Sequence, residues 1–187
     1  MKKLNTLLAG VIMAAAANSV QAAPSDNTVY FQAPAIAGSG CPAGTSDYAI
    51  TPDGQTLTIL FDEYLVSPGM ATCNIAVPVH VPNGFQVSLM TADYRGFVQG
   101  KAELSRSYFF AGQRGPRKRT TLKSKDGEDY LERDNVLTAS NSFSKCGEDV
   151  NLRINSRIRT RTNSSTISVD SIDLQNGMIF HLQYRPC

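Results

Sequence analysis

An all-β fold, a single-domain antiparallel β-sandwich with two disulfides, is what the 187-residue sequence predicts, on three observations. No stretch beyond the leader carries an apolar stripe of helical period. Short apolar runs recur at regular spacing and are punctuated by Pro, Gly and Asn. Leu152, Ile154, Ser156, Ile158 and Thr160 alternate with Arg153, Asn155, Arg157, Arg159 and Arg161, the period of two expected of a strand with one wet face.

The elements follow in chain order. Lys2 and Lys3, an apolar run over residues 7–17 and Val20-Gln21-Ala22 form an export signal, with cleavage expected after Ala22. The run is too short to span a bilayer, and no cysteine follows the cleavage site to carry a lipid. A secreted or periplasmic protein with no transmembrane segment is therefore expected. Residues 23–40, rich in Ala, Pro, Ser and Gly, read as an extended N-terminal segment, and residues 41–187 as the sandwich domain.

Its first unit is a hairpin from Tyr48-Ala49-Ile50 to residues 56–65 around Pro52-Asp53-Gly54, since Pro fixes φ and Gly accepts a positive one. A second strand pair is expected over residues 73–81 and 85–90, divided by Pro82-Asn83-Gly84, with Pro78 marking an edge or a bulge. Residues 102–110 read as a strand and residues 112–127 as a basic polar loop or irregular hairpin. A last hairpin, residues 166–174 with 178–184, is expected around Asn176-Gly177.

Four cysteines, Cys41, Cys73, Cys146 and Cys187, allow three pairings, and their wide spacing, with no Cys-x-x-Cys pair and no nearby His, favours disulfides over zinc. If the strand after Cys41 lies beside the terminal strand, Cys41 pairs with Cys187 and Cys73 with Cys146.

Several segments carry a resemblance. Gly38-Ser39-Gly40-Cys41-Pro42-Ala43-Gly44, Pro52-Asp53-Gly54, Phe61-Asp62-Glu63-Tyr64, Val81-Pro82-Asn83-Gly84-Phe85 and Asp93-Tyr94-Arg95-Gly96 occur in that order. Tyr108-Phe109-Phe110-Ala111-Gly112, Ser171-Ile172-Asp173 and the terminal His181-Leu182-Gln183-Tyr184-Arg185-Pro186-Cys187 follow. Together they resemble the domain-of-unknown-function 4360 family of small secreted proteins of bacteria and fungi. The resemblance implies secretion and a β-rich, disulfide-bonded fold, and it implies no activity. The chain departs from the family in having Tyr184 where Trp is usual and in the basicity of residues 114–125.

Candidate chemistry is sparse. The two histidines, His80 and His181, fall in predicted strands without metal-ligand spacing, and no Gly-x-Ser-x-Gly, His-Glu-x-x-His or phosphate-binding loop occurs. No metal site and no cofactor are expected, and each histidine reads as lying at a sheet surface or hydrogen-bonded in the sandwich. Asp62, Glu63, Asp93, Asp170 and Asp173 are the carboxylates available to a secreted polysaccharide hydrolase, the alternative reading, with Asp93 or Asp173 in the acid pair. Asp62 and Glu63 point to opposite faces, and Asp93 reads as a turn residue bonded to backbone amides or paired with Arg95. Tyr94, Phe97, Tyr108, Phe109 and Phe110 read as core.

Basic residues are the distinctive feature. Arg153, Arg157, Arg159 and Arg161 project from one face of one strand, and Arg117, Lys118 and Arg119 supply a mobile second contact. Guanidinium groups on alternate strand positions can fork onto sulfate, phosphate or carboxylate. Against this, Lys2 and Lys3 account for the formal charge of +2, leaving 16 basic against 16 acidic residues, and Glu128, Asp129, Glu132 and Asp134 follow closely enough to neutralise the loop. That balance disfavours nucleic acid. The function expected is non-catalytic binding of an anionic polysaccharide, an envelope component or a host or competitor protein.

Overall fold

The computed structural model describes residues 27–136, 143–170 and 178–187. The leader and its cleavage site, Asp173 and the Asn176-Gly177 turn lie outside the described residues. The described residues form eleven strands: β1 (Tyr30–Phe31), β2 (Ala35–Ala37), β3 (Ser46–Ile50), β4 (Thr56–Phe61), β5 (Leu65–Val66), β6 (Gly69–His80), β7 (Phe85–Phe110), β8 (Arg117–Asn135), β9 (Val150–Thr160), β10 (Thr166–Ser168) and β11 (Met178–Pro186). They pair antiparallel in the order β1-β6-β9-β7-β11-β4-β3, with β8 on β7, β2 on β6, and β10 joining β5 to β7.

The all-β antiparallel architecture is thus as the sequence predicts, built as one sheet folded over its own core. The fold-over is visible within β7. Tyr94 and Arg106 are twelve positions apart, which on a straight strand is roughly 40 Å. The Arg106 guanidinium nevertheless stands 5.5 Å from the centre of the Tyr94 ring. The strand bends where its register with β8 shifts, between Val98 and Gly100. Gly100, at φ 75°, and Gly127 on β8, at φ 89°, adopt the positive φ that the bend requires, and a Cβ on Gly127 would meet the Phe97 ring at 2.5 Å.

The first half of β7 therefore pairs with β11 and the second half with β9, so one strand serves both layers. Between them lie Leu57, Ile59, Tyr64, Ile75, Leu89, Tyr94, Leu104, Tyr108, Leu152, Ile154, Ile158 and Phe180, each 2% exposed or less. Tyr64 donates across the core to Ser156 Oγ at 2.9 Å.

The first hairpin forms as expected. Gly54 has φ 72°, its N–H reaches Thr51 O at 2.8 Å, and hydrogen bonds from Thr51 Oγ1 and the Gln55 N–H hold the Asp53 carboxyl below its usual range. Residues 27–40 are built into the sheet through β1 and β2, with Val29 and Phe31 buried. Pro78 lies on β6 where the facing edge is interrupted between β1 and β2. Its carbonyl accepts from Gln32 N at 2.9 Å, so the N–H it lacks would have pointed into that gap.

Four expectations are corrected. The strands flanking Pro82-Asn83-Gly84 do not pair: the turn forms, but it carries the chain from β6, paired to β9, into β7, paired to β11. Strand β10 pairs with β5 and β7, and β11 with β4 and β7, so these two are not partners. Residues 117–127 are not a loop, because β8 runs through them as a polar edge strand with only Asp134 buried.

The disulfides are Cys41–Cys73 and Cys146–Cys187, not Cys41 with Cys187 and Cys73 with Cys146. β2 lies on β6 with Ala37 opposite Asn74, which delivers Cys41 beside Cys73. The terminal strand lies on the start of β7, where Cys187 N bonds Gly84 O and Gly147 N bonds Phe85 O, bringing Cys146 to Cys187. The bridges span 32 and 41 residues, so opening either by Cys→Ser replacement should cost about 4 kcal/mol. Non-reducing peptide maps and denaturant midpoints of the two variants check the pairing and the cost.

Candidate functional site

Alternation fixes the outer face of β9. Leu152, Ile154, Ser156, Ile158 and Thr160 are buried, so Arg153, Asn155, Arg157 and Arg159 point away from the core. Directly paired residues share a face of the sheet. Asn155 lies between Asn74 on β6 and Ser107 on β7, and Arg157 between Thr72 and Ser105. On the next strand Arg117 stands opposite Ser107 and Arg119 opposite Ser105. Four strands thus bring Arg117, Arg119 and Arg157 around one open hollow of about 540 Å³, floored by hydroxyl and amide side chains.

A second hollow of about 370 Å³ continues along the same layer, lined by Lys101, Glu103, Thr121, Arg159, Arg161 and Thr162. Arg153 lies past the other end, between Ala76 and Phe109. The ladder and the second basic cluster, expected as separate contacts, therefore share a face. Arg117 and Arg119 are fixed on a strand and not on a mobile loop. Lys118, opposite the inward Arg106, alternates to the other face of β8, though it too borders the first hollow.

Charge on this face is poorly compensated. Glu103 lies 3.6 Å from Arg119, while no ion pair involves Arg117, Arg153, Arg157, Arg159 or Arg161 among the described residues. Lys101 stands directly opposite Lys123, a like-charge pair that costs stability unless an anion or solvent screens it. The acids expected to neutralise the cluster are used elsewhere. Asp134 takes two hydrogen bonds from the buried Arg106, at 2.8 and 2.7 Å, and a third from the Tyr108 hydroxyl. Glu132 accepts from Thr120 and lies 3.6 Å from Arg106, and Glu128 and Asp129 pair with Val98 and Phe97 beyond the Gly127 bend.

The other candidates are placed as follows. Asp93 is in strand and not in a turn, is 2% exposed, and accepts a forked pair of hydrogen bonds from its cross-strand neighbour Arg133, the Nε contact at 2.7 Å, instead of pairing with Arg95. Asp62 and Glu63 lie exposed in the turn between β4 and β5. His181 Nδ1 is 3.1 Å from Thr56 Oγ1. His80 Nδ1 is 2.9 Å from Asp149 Oδ1, beside the Tyr30 ring, over a hollow of about 430 Å³ whose lining includes Asn27 and Asn83 and, among the described residues, no Ser, Thr or Cys. Of the five aromatic residues expected in the core, Tyr94, Tyr108 and Phe110 are buried there, whereas Phe97 and Phe109 alternate away from it and are half-buried.

Sequence reasoning missed the neutral floor, Thr72, Asn74, Ser105 and Ser107. Thr72 and Asn74 alternate with the buried Ala71, Cys73 and Ile75, a signal that would have faced them outward. Which strand they neighbour depends on pairing across more than eighty residues.

Residues 27–187 match the family model described as Domain of unknown function (DUF4360). The chain is 31% identical over 182 aligned residues to an uncharacterized secreted protein of Arthroderma benhamiae, covering 88% of this chain and 74% of that one. Among solved structures, TmCBM61 in complex with β-1,4-galactotriose is similar at a TM-score of 0.31 and 10% identity, over 83% of this chain and 91% of that one, too loose a likeness to bear on the ligand.

Proposed function

The chain belongs to the DUF4360 family, which its description leaves without an activity, and from its basic face we propose that it is an exported, non-catalytic binding protein for an anionic partner. The partner is an anionic glycan or envelope component, or the acidic surface of a protein. Arg153, Arg157 and Arg159 on β9, with Arg161 just past its end, supply one line of positive charge, and Arg117 and Arg119 on β8 a second. The observation that carries this reading is the convergence of Arg117, Arg119 and Arg157 on one hollow whose described lining holds no carboxylate, Glu103, 3.6 Å from Arg119, lining the second hollow instead. Export is supported by the leader, the two disulfides and the secreted relative. Among the described residues no helix is long and apolar enough to cross a membrane.

Overall neutrality does not oppose the reading, because the charges are segregated. On β8 Arg117, Lys118, Arg119, Lys123 and Lys125 precede the bend at Gly127 with one acid, Asp126, and Glu128, Asp129, Glu132 and Asp134 follow it with one base, Arg133. A field of one sign over one face attracts a partner of the other sign whatever the net charge.

Retention of the oxidised protein on an immobilised polyanion is expected to weaken steeply with salt, because each phosphate, sulfate or carboxylate neutralised releases a counterion. Arg157→Glu combined with Arg159→Glu should abolish retention while lowering the denaturant midpoint only slightly, both side chains lying on the outer face and Arg159→Glu setting a carboxylate opposite Glu103. Retention of the double variant equal to the wild type would make the face merely solvated.

A further inference from the structure

We infer that the anion held at this face is a carboxylate-bearing polysaccharide laid across β6, β9, β7 and β8. The inference rests on the binding reading above and deepens it. It comes from what lies between the charges. The amides of Asn74 and Asn155 are direct cross-strand neighbours, and Ser105 separates Arg157 from Arg119 along one row. The two guanidinium-bearing positions are thus two strand spacings apart, roughly 9–10 Å, with the Ser105 hydroxyl midway, its hydrogen donated to Glu103 Oε1 at 3.3 Å and its lone pairs open. A matching ligand alternates acidic groups with neutral, hydroxyl-bearing stretches.

The donor and acceptor inventory points the same way. Each Asn side chain offers a carbonyl acceptor as well as an NH₂ donor, and each Ser or Thr hydroxyl can do both. A fully ionised polyphosphate has acceptors only, so the amide carbonyls on the floor would face it without a donor. Sugar hydroxyls supply both partners, and a sugar carboxylate is the group onto which a guanidinium forks. No aromatic ring lines the hollow, so the stacking platform on which single-stranded nucleic acids rest is absent from its described lining.

The test compares polygalacturonate, the same polymer with its carboxyls reduced to alcohols, and inorganic polyphosphate, each titrated calorimetrically against the full oxidised protein at fixed salt. Polygalacturonate should bind, and reduction of its carboxyls should weaken binding at least about tenfold. Asn74→Ala with Asn155→Ala, both exposed positions, should weaken polygalacturonate about fivefold or more and leave polyphosphate unchanged, whereas Arg157→Gln should weaken both. If polyphosphate binds as tightly as polygalacturonate, or the Asn variant loses neither or both alike, the face reads charge alone: the polysaccharide inference falls and the anion reading stands. If neither polyanion binds, both fall.

Discussion

Replacing Asp134 by Ala is expected to cost about 3–5 kcal/mol, a large share of the stability of a chain this size. The Arg106 side chain is 1% exposed, and the fork from its Nε and terminal nitrogen to Asp134 joins the second half of β7 to the end of β8 across the bend. Removing the carboxylate strands that charge in a low-dielectric interior and leaves the Tyr108 hydroxyl without its acceptor. Of the remaining partners, Leu104 O and Thr120 Oγ1, each 3.0 Å from the guanidinium, are neutral, and Glu132, at 3.6 Å and shared with Thr120, offsets the charge only in part. Because the penalty comes from the widowed charge, Arg106→Met together with Asp134→Leu should recover most of it. Denaturant midpoints of the single and double variants decide the matter. A single variant within 1 kcal/mol of wild type would mean that Arg106 reaches water or another acid.

Alkaline pH should unfold the protein steeply. Burial pushes the phenols of Tyr64, Tyr94 and Tyr108 well above the ordinary 10.0, and all three are 2% exposed or less. Above pH 10 the unfolded chain releases protons that the folded chain still holds. Stability is therefore complete below that pH and falls as the pH rises toward the raised folded values. Each phenol contributes a loss of about 1.4 kcal/mol per pH unit, so the three together give roughly 4 kcal/mol per unit. Tyrosinate absorbance followed alongside far-ultraviolet circular dichroism should show these phenols ionising only as the strand signal collapses. Ionisation of all seven tyrosines at ordinary pH with the sheet intact would mean that these rings are open to solvent.

The parts of this structure that could be read from sequence are those whose two faces differ. β9 was legible because β6 and β7 flank it and one face packs on the core, so Leu152 through Thr160 alternate cleanly with Arg153 through Arg159. β8 was not, because it pairs only with β7 and buries Asp134 alone, leaving no apolar period to detect in nineteen residues. Two further misreadings follow from that one. Arg133 could not be assigned to Asp93 while the strand carrying it was invisible, and the acids of β8 were counted against bases from which the Gly127 bend separates them. Disulfide pairing was illegible for a different reason: it depends on which strands are neighbours, and the short β2, lying on β6, settles Cys41 with Cys73. The arginines of the candidate face were visible singly. Their convergence with Arg117 and Arg119 needed the β7–β8 register.

Amide chemical shifts of the oxidised, isotope-labelled protein, followed while oligogalacturonate is added, test the central claim most directly. The account predicts progressive, saturable shifts at Thr72, Asn74, Ser105, Ser107, Asn155 and Arg157 and on β8 at Arg117 and Arg119, fading as salt is raised. Shifts confined to the opposite layer, around Tyr48 or Tyr184, or no shifts at low salt, would contradict it.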